Sequence, residues 1–161
     1  MSRKYNIDEI LELAEQIERN GVEYYSRAAK LVENEEQRRT FRKLAEMERN
    51  HEQLFAEMRA SQIDQYESFD PDGEDARYLD AIVDGNIFDY KDPEVRAIAE
   101  MSVTDIYRKA IDLEKDTIIF YLGIRELVPE RYGKAQMSGI ISEEMSHITL
   151  LSNDLAKQME A

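Results

Sequence analysis

The chain contains no cysteine. That excludes disulfides, a thiol nucleophile, a zinc ribbon and cysteine-ligated iron–sulfur centres. Any metal here must be held by carboxylate and imidazole. Proline is scarce, at three in 161 residues, so little interrupts long helices. No run of eighteen apolar residues occurs, so no membrane span is expected. The start, Met1 to Ile10, lacks the apolar stretch of a signal peptide. Together these two absences point to a cytoplasmic protein. Basic residues are outnumbered 35 to 21, and the resulting net charge of −14 argues against nucleic acid, because phosphate binding needs a basic surface. The acidity is uneven. Residues 63–100 hold 12 Asp/Glu against 3 Lys/Arg, which reads as a solvated connector. Histidine is the scarcest of the informative residues: there are two, and each follows a glutamate by three positions.

What is abundant suits amphipathic helices: 42% apolar and 35% charged residues. The length is enough for one core, and one domain spanning 1–161 is expected. Four long helices are predicted. The first runs from about Ile7 to Val32, with Asn6 as N-cap and Glu9 completing a capping box. The second runs from about Glu35 to Gln62, with Asn34 as cap and Gln37 in the box position. The third starts after Ser102 and stops before Pro129, and the fourth runs from about Gly133 to Met159. Short links at Glu33–Asn34 and Pro129–Tyr132 make antiparallel neighbours of each pair. A long crossover, about 63–101, joins the pairs. Within it, a turn is expected at Phe69–Glu74, a short helix at Ala76–Val83 and another helical turn opening at Asp92–Pro93. The fold class expected is all-α: two antiparallel pairs joined by one crossover, the topology of a ferritin-like four-helix bundle.

One set of residues recurs at a constant offset of 96. Glu18, Tyr25, Glu48 and His51 map onto Glu114, Tyr121, Glu144 and His147 with no insertion. The apolar stripes place these positions inward. On the second helix the stripe Phe41, Leu44, Glu48, His51, Phe55, Met58 alternates steps of three and four. The fourth helix repeats this with Met137, Ile140, Glu144, His147, Leu151. The first and third helices carry Glu18 and Glu114 within apolar stripes of their own. Each core run is thus interrupted near its middle by a carboxylate.

An unpaired buried carboxylate is disfavoured by several kcal/mol, and four in one core repel one another unless protonated or neutralised. Two divalent cations bring +4, matching four glutamates and leaving the imidazoles neutral. Glu and His three apart on a helix lie about 5–6 Å apart at Cβ, so both can reach one ion. We therefore expect Glu18, Glu48, His51, Glu114, Glu144 and His147 to form one dinuclear metal site. Tyr25 and Tyr121 follow their glutamates by two helical turns. They read either as core aromatics with a satisfied hydroxyl, or as candidate catalytic residues: hydrogen-bond donors to a ligand carboxylate, or redox-active phenols. Glu15 and Glu143 fall off the stripes and read as surface charges.

The segments Ile17-Glu-Arg-Asn-Gly-Val-Glu-Tyr-Tyr25 and Leu113-Glu-Lys-Asp-Thr-Ile-Ile-Phe-Tyr121, with Met47-Glu-Arg-Asn-His51 and Glu143-Glu-Met-Ser-His147, resemble rubrerythrin-type ferritin-like proteins over nearly all of residues 5–158. The resemblance implies a di-iron carboxylate oxidoreductase. Glu18 and Glu114 would be terminal or chelating ligands, Glu48 and Glu144 would bridge, and His51 and His147 would each cap one of two iron ions, with manganese or zinc as other occupants. It implies reduction of hydrogen peroxide or dioxygen with electrons from an external donor, and a homodimer. The chain departs from the pattern in two ways. It has no cysteine-ligated rubredoxin domain, and Thr117 stands where rubrerythrins carry an extra glutamate. The four-Glu, two-His set is instead like that of bacterioferritins and the ribonucleotide reductase small subunit. The bacterioferritin haem methionine falls at Arg49, so no haem is expected. A ferroxidase or iron-handling role and a non-catalytic metal-binding bundle stand as the alternatives.

Overall fold

The computed structural model describes residues 6–61, 77, 78, 81, 97–128 and 130–161. Four long helices carry the fold: α1 (Ile7–Leu31), α2 (Glu35–Ala60), α3 (Val103–Leu127) and α4 (Lys134–Glu160). Single 3₁₀ turns occupy Ala97–Glu100 and Glu130–Tyr132. The turn expected at Phe69–Glu74, most of the short helix at Ala76–Val83 and the helical turn at Asp92–Pro93 lie outside the described residues. Of that stretch Arg77, Tyr78 and Ala81 are helical.

The helix starts follow from their caps. Asn6 Oδ1 accepts from the Glu9 amide at 2.8 Å while the Glu9 carboxylate accepts from the Asn6 amide at 3.1 Å, closing the box. Such a cap contributes about 1 kcal/mol by satisfying amides that have no partner within the helix. Asn34 and Ser102 cap α2 and α3 in the same way, through the amides of Gln37 and Asp105. At α4 the cap is Gly133, with φ 113° and no side-chain bond. The positive φ favours glycine there, and a Cβ would also lie 2.4 Å from Met58 Cε, the movable tip of that side chain. Helix α2 ends at Ala60 rather than Gln62. Ser61 closes it, its hydroxyl donating to the Met58 carbonyl at 2.8 Å.

Helix α1 packs chiefly on α2, and α3 on α4. The core falls into two apolar clusters, one toward each end of the bundle. The first joins Ile7, Leu11, Phe55, Ile124 and Met137, and the second joins Ala28, Phe41, Leu44, Tyr107 and Leu151. The start of α1 therefore lies beside the end of α2, the end of α3 and the start of α4. The chain leaves α2 at one end of the bundle and enters α3 at the other. This is the ferritin-like arrangement expected from the sequence. Buried hydroxyls tie the two pairs together: Tyr24 donates to the Ile106 carbonyl at 2.7 Å. The crossover touches the bundle at Tyr78, whose hydroxyl donates to the Ile119 carbonyl at 3.1 Å. Its ring occupies the space that a Cβ on Gly123 would need. No described helix is long and apolar enough to cross a membrane.

Candidate metal centre

Between the two apolar clusters lies a polar layer. Glu18, Glu48, His51, Glu114, Glu144 and His147 are all 4% exposed or less, one carboxylate from each helix and one imidazole from each of α2 and α4. They fall into two overlapping groups whose potential ligand atoms lie within 4.8 Å of one another. One is Glu18, Glu48, His51 and Glu144. The other is Glu48, Glu114, Glu144 and His147. Glu48 and Glu144 belong to both.

The oxygens of those two shared residues divide between the groups. Glu144 Oε1 is 3.0 Å from His51 Nδ1, while its Oε2 is 2.8 Å from His147 Nδ1. Glu48 Oε1 is 3.0 Å from His147 Nδ1, and its Oε2 faces His51 Nδ1 at 4.0 Å. The unshared carboxylates each serve one side: Glu18 Oε2 is 3.5 Å from His51 Nδ1, and Glu114 Oε1 is 3.3 Å from His147 Nδ1. The imidazole rings lie nearly parallel, with centroids 5.7 Å apart.

Glu18 Oε2, Glu48 Oε1, Glu144 Oε2 and both ring nitrogens of His147 are buried without a hydrogen-bond partner among the described residues. His147 Nδ1 and carboxylate oxygens crowd within 3.3 Å, yet without the angles a hydrogen bond requires. Lone pairs converging on common points are what a cation site needs, and the oxygen and imidazole donors suit a divalent ion of the first transition row. Four carboxylates match two such ions in charge.

The electrostatics of the protein alone carry the same strain. Burial, then the charges of Glu144, Glu18 and Glu114, push the Glu48 carboxyl well above its ordinary range. Glu114 is pushed up to about 7 by burial and by Glu144, against the opposing pull of His147. Burial disfavours charge on the histidines, but their carboxylate neighbours outweigh it and raise His51 to about 11 and His147 to about 9. Protons thus take up the charge balance that cations would otherwise supply.

Tyr25 and Tyr121 lie at this layer, each 3% exposed or less. Tyr25 donates its hydroxyl to Glu114 and Tyr121 donates to Glu18. Each phenol therefore holds the carboxylate of the opposite half, not the one two turns back on its own helix. Burial first, then the carboxylate each one faces, raises both phenols well above 10, which keeps them protonated as donors. Tyr25 stacks on Phe41 at 6.1 Å and Tyr121 packs on Phe55 at 5.3 Å, so the rings are core aromatics as well.

Comparison with known proteins places this architecture. The rubrerythrin family model matches residues 9–155. The chain belongs to the rubrerythrin family. In fold, this rubrerythrin-family chain is similar to the crystal structure of a putative ferritin-like diiron-carboxylate protein from Thermotoga maritima. The TM-score is 0.71 at 22% identity, covering 98% of this chain and 99% of that one. No curated protein sequence matches the chain.

Two residues of this rubrerythrin-family chain make contacts that their sequence expectation left out. Glu15, expected on the surface, is only 9% exposed and pairs with Arg59 Nη1 at 3.2 Å. Arg59 also grips Asp8 through Nε at 2.6 Å, so an α2 guanidinium neutralises the acidic base of α1. Glu143 is exposed, as expected of a surface charge, yet its Oε2 reaches His51 Nε2 at 2.5 Å. Gly21 contributes by what it lacks. A Cβ there would lie 3.1 Å from Glu48 Cγ and 3.3 Å from its carboxyl carbon, so the missing side chain leaves the room in which the shared carboxylate lies.

Proposed function

We propose that this protein is a dinuclear iron oxidoreductase that reduces hydrogen peroxide or dioxygen with electrons from an external donor. One observation carries the reading: Glu48 and Glu144 each turn one oxygen toward His51 and the other toward His147. So placed, both carboxylates could serve two ions, with Glu18 and His51 completing the residues that would hold one and Glu114 and His147 those that would hold the other. When bound, a pair of redox-active ions supplies two electrons to an O–O bond at once. Peroxide reduction consumes those two electrons and two protons and yields two waters. In this reading the electrons come from a separate donor, since the sequence offers no cysteine to hold an electron-transfer cluster.

The remaining work falls to the residues. The apolar clusters on either side exclude bulk water, which strengthens every charge interaction within the layer. The Tyr25 and Tyr121 hydroxyls fix the carboxylates of Glu114 and Glu18 and so set the reach of their free oxygens. The ring nitrogens Nδ1 of His51 and His147 point inward, and were they to hold the ions, each neutral imidazole would carry its proton on Nε2.

The test is to load the protein with ferrous iron anaerobically and follow its oxidation by one equivalent of peroxide or of dioxygen. Rapid two-electron oxidation followed by sustained turnover with an added reductant supports the reading. Oxidation no faster than that of free ferrous ion contradicts it. Uptake of iron far beyond two per chain, in a large assembly, supports the ferroxidase alternative instead.

A further inference from the structure

The 96-residue repeat makes the two halves of the site match in every candidate ligand, but not in every neighbour: Gly21 answers to Thr117, and one mismatch falls at the outer nitrogen of a histidine. His51 Nε2 lies 2.5 Å from Glu143 Oε2. Glu143 belongs to α4 and His51 to α2, so the pseudo-twofold counterpart of this contact would join His147 on α4 to the residue 96 positions before Glu143, on α2. That residue is Met47, half-buried, whose thioether is a poor acceptor. Among the described residues His147 Nε2 accordingly has no hydrogen-bond partner, although it is buried from solvent.

We infer that the two metal positions are unequal, and that Glu143 is the positioning residue that makes the one at His51 the tighter. The inference rests on the dinuclear reading of the site. With Nδ1 turned to the ion, His51 carries its proton on Nε2 and donates it to Glu143. That bond fixes the tautomer and ring angle and makes Nδ1 a better electron-pair donor. His147 would carry the same proton on a buried nitrogen that has no acceptor among the described residues, so the outer edge of its ring is held by packing. Losing such an outer partner costs 10–100-fold in metal affinity, and about tenfold is expected here because the Glu143 side chain is 58% exposed.

The test is a calorimetric titration of chelator-stripped protein with Co²⁺, read together with the exchangeable, metal-shifted imidazole N–H resonances in proton NMR. Wild-type protein should bind two ions in steps about tenfold apart, with one N–H slow to exchange with solvent. Glu143→Ala should bring the steps together and speed exchange of that N–H. Glu143→Gln, which keeps an acceptor but removes the charge, should preserve most of the gap. Met47→Glu, restoring the missing partner, should tighten the weaker step. Because Glu143 is exposed, a matching metal-free melt should show these variants folded. Two equal steps in wild-type protein, or a Glu143→Ala effect that weakens both steps alike, overturns the inference and leaves the dinuclear reading standing. Binding of no ion, or of one, overturns both.

Discussion

Replacing Glu48 with glutamine separates what the polar layer costs from what it binds. Glu48 is 4% exposed, faces three other carboxylates and is pushed well above its ordinary value of 4.5. In metal-free protein burial and this repulsion make it hold its proton to higher pH than the unfolded chain does. Holding that proton costs roughly 1.4 kcal/mol for each pH unit above 4.5, which bounds the penalty at about 3 kcal/mol at pH 7. Glutamine has the shape of the protonated acid without the cost. Glu48→Gln should therefore stabilise the metal-free protein by about 1–3 kcal/mol, raising Tm by roughly 2–12 °C for a chain of this size. At pH 4.5 and below the gain should vanish, because wild-type Glu48 is then protonated in both states. In the presence of Co²⁺ or Fe²⁺ the order should reverse: an amide cannot serve as an anionic bridge, and the variant loses the stabilisation that binding adds. The assay is a pair of thermal melts, with chelator and with excess metal, across pH 4–8. A variant less stable than wild type under both conditions, or a gain that does not depend on pH, would refute the reasoning.

Metal-free stability should fall as pH rises from about 5 to about 9. Glu114, His147 and His51 all have raised values, so each adds stability that is complete below its ordinary value and is lost through about 7, 9 and 11 respectively. Denaturation midpoints measured with chelator across this range check the sign, and the stabilisation conferred by metal should grow over the same interval. Tyr121→Phe removes the hydroxyl that donates to Glu18 and should cost about 1–3 kcal/mol together with roughly tenfold in metal affinity, read by denaturant titration and calorimetry. Gly133→Ala and Gly139→Ala should differ in sign. At position 133 the left-handed backbone and the contact with Met58 make alanine destabilising by about 1–3 kcal/mol. At position 139, within α4, a Cβ meets nothing within 4 Å and alanine should stabilise by up to about 1 kcal/mol. Paired melts of the two variants decide it.

Much of this architecture was legible because helical periodicity is a local property. The steps of three and four around Glu48 and Glu144 placed both inward, and the caps at Asn6, Asn34 and Ser102 fixed three helix starts. The 96-residue offset implied that the halves meet at one level. What escaped the sequence depends on distances between helices. Tyr25 lies two turns, roughly 11 Å along the axis, beyond Glu18, too far for a hydrogen bond within α1. Only the antiparallel placement of α3 brings Glu114 to its hydroxyl. Glu15 falls off the α1 stripe and reads as exposed until Arg59, from the far end of α2, folds over it. Glu143 points off the α4 stripe toward solvent, and nothing in its spacing shows that the outer nitrogen of His51 lies within reach. The shortfall on α2 was smaller: Ser61 turns back on the Met58 carbonyl and ends the helix.

The central claim is that Glu48 and Glu144 join two ions into one centre. It is tested most directly by loading the protein with ferrous or manganous ion and measuring stoichiometry together with the magnetic coupling between the ions. Two ions per chain, coupled to each other, is the result predicted from the divided oxygens of these two residues. One ion per chain, or two that behave as isolated centres, would contradict it.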